Sequence, residues 1–133
     1  MKYLLDTNIC IYVMKGIYPN IADKLYAISD EKIVISSVTV GELEYGAAKS
    51  KWGNRTREIM YSFLANYEIL PFDETDAIYF GQLRAMLTDK GTPIGAYDIM
   101  IAAQCVAKNL TVVTHNTKEF SRIQFLKLED WTV

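Results

Sequence analysis

Histidine and cysteine are scarce in this sequence, which has one histidine, His115, and two cysteines, Cys10 and Cys105, among 133 residues. Structural zinc sites take four Cys or His ligands, so this composition argues against that class of site. A Ser–His–Asp triad would depend on His115 as its only available base. Both cysteines lie in apolar helical patterns, which indicates buried thiols in a reducing compartment rather than a disulfide framework.

Long hydrophobic runs are also missing, because no run approaches the roughly 18 residues that a membrane-spanning helix needs. Asp6 interrupts the first apolar run, which argues against a signal peptide, so we expect a cytoplasmic protein. No linker rich in proline, glycine or serine divides the chain. With a length of 133 residues and a hydrophobic content of 50%, residues 1–133 are expected to form a single domain with a substantial core.

Short apolar runs alternate with amphipathic segments along the chain, which predicts strands alternating with helices. Strands are predicted at 2–5, 33–35, 68–72 and 111–113, with a final short edge strand at 125–128. Helices are predicted at 9–16, 19–28, 41–49, 54–66, 73–91 and 98–108. This alternation predicts an α/β sandwich around a mostly parallel sheet.

Carboxylates follow the predicted strands, on the edge where open α/β sheets bind their ligands. Asp6 comes directly after the first strand, Glu42 falls in the predicted first turn of the helix after the second, and Asp98 opens a buried helix. Clustered carboxylates repel one another and raise each other's pKa. Mg²⁺ or Mn²⁺ relieves that repulsion by binding to hard oxygen ligands. The pattern therefore favours a divalent-cation site, which is typical of metal-assisted phosphoryl chemistry.

Each of these acids also has a purely structural interpretation, and spacing alone leaves both interpretations open. Asp6 can cap the helix that follows it, since Asp is a preferred N-cap residue. The segment Thr39–Glu42 fits the capping-box pattern, and Asp98 would favour the positive end of its helix dipole. Asp73 and Asp76 are expected to be helix caps and nothing more.

Four segments, taken in order, resemble the PIN domain family and, more closely, its VapC group, the toxins of VapBC toxin–antitoxin pairs: Leu4–Asn8, Ser36–Gly46, Pro93–Ala102 and Val113–Phe120. The resemblance covers essentially the whole chain. It implies a PIN-like α/β/α sandwich and a magnesium-dependent endoribonuclease whose catalytic and metal-binding acids are Asp6, Glu42 and Asp98. It also implies a homodimer and a VapB-like antitoxin, whose C-terminal segment lies in a groove near the acids.

Auxiliary positions around the metal follow from the same resemblance. Many PIN domains carry a fourth acid after the last core strand, where this chain has Asn116. Glu119, three residues further on, is the other candidate for that carboxylate. Thr7 and Thr114 match small hydroxyl residues beside the acids of the family, although ordinary turn and cap hydrogen bonds would also explain them.

A basic segment between two predicted helices is the candidate RNA-binding surface. Its cations suit phosphate contacts and its aromatic ring suits base stacking on single-stranded RNA; the residues are Lys49, Lys51, Trp52, Arg55 and Arg57. A solvated helix–helix turn would carry the same residues. The resemblance makes tRNA the first candidate substrate, and the initiator tRNA anticodon loop the specific expectation.

Two other functions stay open on the sequence alone. A phosphoaspartyl hydrolase also places an acid after an apolar strand, although such enzymes commonly need a second Asp where this chain has Asn8. A PIN domain that binds RNA or a partner without cleaving it is compatible with Asn116. Four tyrosines at helical positions are expected in the core or at an interface: Tyr12, Tyr45, Tyr79 and Tyr97.

Overall fold

The computed structural model describes residues 1–133 and contains one five-stranded sheet. Its strands are Tyr3–Leu5 (β1), Ile33–Ser36 (β2), Glu68–Leu70 (β3), Thr111–Val113 (β4) and Leu128–Glu129 (β5). They lie in the order β3-β2-β1-β4-β5, and every neighbouring pair is parallel. The predicted α/β class with a mostly parallel sheet is confirmed.

Seven α-helices flank the sheet and connect its strands: Thr7–Lys15 (α1), Pro19–Ala27 (α2), Ser37–Lys49 (α3), Gly53–Leu64 (α4), Glu74–Asp89 (α5), Ala96–Lys108 (α6) and Thr117–Phe120 (α7). A single 3-10 turn, Asp30–Lys32, precedes β2. None of these helices has the length and apolar character needed to cross a membrane.

The core has two halves because successive strand residues point to opposite faces of the sheet. Leu4, Val34 and Val112 pack on one face with residues of α5 and α6. Leu5 and Ile35 pack on the other face with residues of α1 to α4. Both faces are thus covered by helices, as in the predicted sandwich. The two cysteines are buried and free, which confirms the prediction for them.

The start of α3 differs from the prediction, and the difference changes the position of Glu42. The helix begins at Ser37, one turn earlier than predicted, because the Ser36 hydroxyl accepts the N–H of Val38 at 3.0 Å and caps the helix. The predicted capping box over Thr39–Glu42 is therefore wrong. Glu42 lies in the second turn of α3 instead of its first.

Two strands also differ from their predicted bounds. β3 ends at Leu70, two residues early, because Pro71 has no N–H to continue the ladder. The last strand is β5 at Leu128–Glu129 rather than 125–128, since the N–H of Leu126 donates to the carbonyl of Ile123 in a turn. The strand can begin only after that turn is complete.

A capping box at the start of α5 also ties this helix to α6. Asp73 and Asp76 each accept the other's backbone N–H at 3.0 Å, as expected for helix caps. The Lys108 ammonium donates to Asp76 at 2.7 Å and to Asp73 at 2.9 Å. The Asp76 side chain is 0% exposed, so Lys108 neutralises a carboxylate that water does not reach.

Replacing Lys108 with Met should leave the buried charge of Asp76 without its cation while keeping most of the aliphatic stem. We expect the free energy of unfolding to fall by about 2 kcal/mol, the range for hydrogen bonds to charged groups. Urea denaturation measures this loss. Lys90→Met is the matched control because Lys90 forms no ion pair. Equal denaturation midpoints for the two variants would contradict the assignment.

Candidate active site

From β1, the chain adds β2 and β3 on one side of the sheet and later adds β4 and β5 on the other side. The carboxyl ends of β1 and β4 therefore flank the crevice where open α/β sheets bind ligands. Asp6 follows β1, and Thr114 follows β4. The backbone N–H of Asp6 donates to the carbonyl of Val113 at 3.0 Å. The Thr114 hydroxyl accepts the N–H of Asn116 at 2.9 Å and lies near enough to the Asp6 carboxylate to lower its pKa. These contacts hold the first acid at the switch point.

Asp6 both caps α1 and lies in the crevice, so its structural and functional interpretations are compatible. Its Oδ1 accepts the N–H of Ile9 at 2.9 Å, and the residue is only 4% exposed. Burial is the main cause that raises the pKa of Asp6 to about 6. The nearby Thr114 hydroxyl and the hydrogen bond from Ile9 oppose this shift, whereas the charges of Asp98 and Glu42 add to it.

Glu42 enters the crevice from α3 and is held by hydroxyl groups. Its Oε1 accepts the hydroxyl of Thr7, the first residue of α1, at 2.6 Å. The Thr7 hydroxyl also lies 3.0 Å from that of Thr39, which is fully buried. The sequence indicates Thr7 as an auxiliary residue, but it does not indicate the contact made by Thr39. Its position three residues before Glu42, about one turn away on α3, is the available signal.

Asp98 lies in the first turn of α6, close to the segment that follows β4. The helix begins at Ala96, two residues before the predicted start. Burial raises the pKa of Asp98, and the charges of Glu119 and Glu42 raise it as well. The nearby Asn116 side chain lowers the pKa of Asp98 and so opposes the shift, and its Nδ2 donates to Glu119 at 3.0 Å. Asn116 thus bonds Glu119 and lies beside Asp98, at the predicted auxiliary position.

Mutual repulsion links four carboxylates at this edge of the sheet: Asp6, Glu42, Asp98 and Glu119. None of them forms an ion pair with a lysine, arginine or histidine. No three of them, in their present side-chain positions, are arranged to hold one metal ion. All are hard oxygen donors, the ligand type that suits Mg²⁺ and Mn²⁺. The donor set therefore fits a divalent cation in chemistry and charge, and side-chain rotation would have to complete the coordination.

Of the residues predicted to contact RNA, Lys49 is the one that the structure brings to the acids. It lines the same groove as Glu42. A separate exposed depression at the turn between α3 and α4 is lined by Lys51, Trp52 and Arg55. The Nε of Arg57 lies 3.4 Å from the Glu44 carboxylate, so this cation is already paired.

Three of the four tyrosines expected in the core or at an interface are exposed and are not core residues. Tyr45 is 67% exposed, Tyr97 is 60% exposed and Tyr79 is 37% exposed. Tyr45 and Tyr97 line the groove that contains Glu42. Helical spacing alone could not reveal this, because an outward-facing stripe and a core-facing stripe have the same period.

Comparison with known proteins identifies the family. The chain matches the PIN domain family over residues 3–126. It is 41% identical over 131 residues to the tRNA(fMet)-specific endonuclease VapC of Salmonella typhimurium, covering 98% of both chains. It is 40% identical over 132 residues to Ribonuclease VapC2 of Rickettsia felis, again over 98% of both.

Solved structures agree with this relationship. A chain in the crystal structure of VapBC2 from Rickettsia felis, bound to a DNA fragment from their promoter, has a TM-score of 0.93 and 39% identity to this chain. The match covers 98% of this chain and 99% of that one. Because both comparisons span nearly the whole sequence, the chain belongs to the PIN domain family and to the VapC ribonucleases within it.

Proposed function

We propose that this chain is a divalent-cation-dependent endoribonuclease that acts as the toxin of a VapBC-type toxin–antitoxin pair. Mg²⁺ is the proposed cofactor, and Mn²⁺ can replace it. The observation that carries the proposal is the set of unpaired carboxylates at the switch point of a VapC-type chain. Asp6, Glu42 and Asp98 are the proposed metal-binding and catalytic residues, and Glu119 is the candidate fourth carboxylate.

A bound divalent cation supplies water activation and stabilises negative charge on the phosphodiester. Neighbouring groups of the chain orient the carboxylates that would hold this cation. The hydrogen bond from the N–H of Ile9 fixes the Asp6 carboxylate at the start of α1, and the Thr114 hydroxyl lies beside it. The Thr7 hydroxyl orients Glu42, and the Asn116 amide restrains Glu119. Attack of external water on the phosphorus, with departure of the 3′ oxygen, leaves a 5′-phosphate and a 3′-hydroxyl end.

The proposed substrate is tRNA, with the initiator tRNA anticodon loop as the specific target. The name of the Salmonella typhimurium relative, a tRNA(fMet)-specific endonuclease, supports this choice. A loop is also physically suitable, because proteins read RNA sequence mainly on unpaired bases that can be splayed out and stacked.

An apolar groove is the proposed binding site for an antitoxin segment. It has a volume of about 370 Å³, lies between α1, α3 and α4, and includes Glu42 in its lining. An amphipathic segment could bury its apolar face there, while an arginine or lysine reaches the carboxylates. The apolar lining consists of Ile11, Met14, Leu43, Ala47, Ile59 and Met60. We also propose a homodimer, a cytoplasmic location, and a single domain over residues 1–133.

The two alternative functions have less support. A phosphoaspartyl hydrolase would need an acid where this chain has Asn8, and residues 3–126 match a different family. If the chain binds RNA or a partner without cleaving RNA, the carboxylates have no catalytic role. Cleavage assays separate this second alternative from the proposal.

Asp6→Asn should stabilise the metal-free protein, because it removes a buried charge and Asn still caps a helix. The pKa of Asp6 in the folded protein is about 6, above its ordinary value of 3.8. Ionisation of Asp6 therefore destabilises the folded state progressively as the pH rises from 3.8 to about 6. We expect a gain of about 2 kcal/mol in the free energy of unfolding at pH 7. The gain should shrink as the pH falls from about 6 and vanish below 3.8.

Asp73→Asn is the matched control, because Asp73 also caps a helix but its pKa is lowered by hydrogen bonds to Asp76 and Lys108. This variant should lose stability at pH 7. Thermal melts with saturating Mn²⁺ complete the test. The metal should raise the melting temperatures of the original protein and of Asp73→Asn, and it should raise the melting temperature of Asp6→Asn much less. Equal Mn²⁺ responses in all three proteins would exclude Asp6 as a ligand.

Purified cellular RNA should be cleaved only when Mg²⁺ or Mn²⁺ is present, and Asp98→Asn should be inactive although folded. End mapping should find 5′-phosphate and 3′-hydroxyl products at a small number of tRNA sites. A folded Asp98→Asn protein with full activity would contradict the proposed site. Binding of RNA without cleavage under all metal conditions would support the non-cleaving alternative.

Asn116 and Glu119 can be ranked by metal titration and activity. An amide can orient a ligand but cannot neutralise a cation, so Asn116→Ala should reduce activity less than Asp98→Ala. Asn116→Asp should tighten Mn²⁺ binding because it adds a charge to the cluster. If Glu119 supplies the fourth carboxylate, Glu119→Ala should weaken Mn²⁺ binding more than Asn116→Ala does. The reverse order would show that the Asn116 amide contributes more to metal binding than the Glu119 carboxylate does.

A further inference from the structure

A second groove adjoins the proposed active site and is distinct in character from the apolar groove described above. It has a volume of about 740 Å³ and lies among α1, α3 and α6, within the range of about 300–1,000 Å³ for ligand sites. The acid Glu42 and its partner Thr7 belong to its lining, together with Tyr45, Tyr97 and Lys49. The groove is therefore continuous with the proposed catalytic residues.

One face of α3 forms a wall of this groove. The residues at positions 38, 41, 42, 45, 46 and 49 all line it, and this spacing is that of a single helical face. The buried face of α3 carries Thr39, Leu43 and Ala47. α3 thus has a core-facing side and a side that lines the groove, of which Val38 also packs against the core.

Two glycines on the groove face leave space that the fold itself does not use. A Cβ added at Gly41 or Gly46 would meet no atom within 4 Å. Glycine inside a helix costs roughly 0.5–1 kcal/mol relative to alanine. Packing within the chain therefore does not require glycine at either position. A molecule bound in the groove would require it, because a side chain there would occupy the space of that molecule.

The two tyrosines on the groove are placed next to acids of the proposed site. Tyr45 lies one turn after Glu42 on α3, and Tyr97 immediately precedes Asp98 in the first turn of α6. Both rings are mostly exposed, at 67% and 60%. The Lys49 ammonium lies 4.9 Å from the centre of the Tyr45 ring. An aromatic surface and one cation thus flank the carboxylates.

We propose that this groove holds unpaired nucleotides on either side of the cleaved phosphodiester, with Tyr45 and Tyr97 stacking on bases and Lys49 contacting a phosphate. The proposal rests on the ribonuclease activity proposed above. The carboxylate cluster repels the RNA backbone, and the chain has a net charge of −2, so phosphate contacts alone supply little affinity. Stacking does not depend on charge and tolerates any base, because every base has a π-face.

The test uses an unpaired oligoribonucleotide with a 5′-fluorescein label, bound to the Asp98→Asn protein and measured by fluorescence anisotropy. In this background, Tyr45→Leu and Tyr97→Leu should each weaken binding about tenfold. Tyr45→Phe and Tyr97→Phe should bind normally because they keep the ring. Tyr26→Leu is the matched control, since Tyr26 is 97% exposed and lies on α2 outside the groove. A fully paired duplex should bind weakly and equally to all variants.

Cleavage kinetics give a second readout in proteins that keep Asp98. Each Tyr→Leu change should raise KM more than it lowers kcat, because stacking acts chiefly in binding. Gly41→Leu, which adds a side chain to open space, should block the groove and abolish RNA binding while the protein stays folded.

Several outcomes would overturn the proposal. If the original protein cleaves RNA and the Tyr→Leu variants bind the oligonucleotide as tightly as their parent, the groove is not a base subsite. If those variants instead change the oligomeric state in sedimentation, with RNA affinity unchanged, the tyrosines form a protein contact. If the original protein neither binds nor cleaves RNA, the ribonuclease proposal fails and this one fails with it.

Discussion

Four carboxylates lie within electrostatic reach of one another at the carboxyl edge of the sheet, and no cationic side chain neutralises them. The repulsion opposes folding, since burial and neighbouring charge raise the pKa of both Asp6 and Asp98. A protein tolerates such an arrangement when a ligand that binds only the folded state offsets the cost. The rest of the site follows from this constraint, because a hard divalent cation is the ligand that four oxygen donors attract most strongly.

The fold holds Asp6 rigidly, whereas the side chains of Glu42 and Glu119 are held less firmly. Asp6 is fixed by its capping bond to α1 and by its position between β1 and β4. Glu42 and Glu119 are held only by side-chain hydrogen bonds, to a hydroxyl and an amide. Such bonds can be exchanged for metal ligation at small cost. α3 then separates two grooves of different chemistry: an apolar one that suits a protein segment and an aromatic one that suits RNA.

The fold and the principal acids could be predicted from the sequence because both depend on short-range patterns. Apolar runs define the strands, and Asp6 and Asp98 are placed by the strand and helix boundaries beside them. The sequence also predicts Glu42 near the crevice, but it predicts the wrong turn of α3 for this residue, because Ser36 and Thr39 both carry hydroxyl groups that can cap a helix. Which one caps depends on where β2 ends. The groove face with Tyr45 was missed, since exposure of a helical stripe depends on what packs against it.

Direct observation of metal binding tests the central claim most simply. Electron paramagnetic resonance of Mn²⁺, titrated into the metal-free protein at pH 7, reports free ion separately from ion bound to protein. The account predicts saturable binding by the original protein and a large loss of affinity in Asp98→Asn, while Asp73→Asn, an acid outside the crevice, binds normally. Identical titrations for all three proteins, or no binding by the original protein, would contradict the assignment of these carboxylates to a metal site.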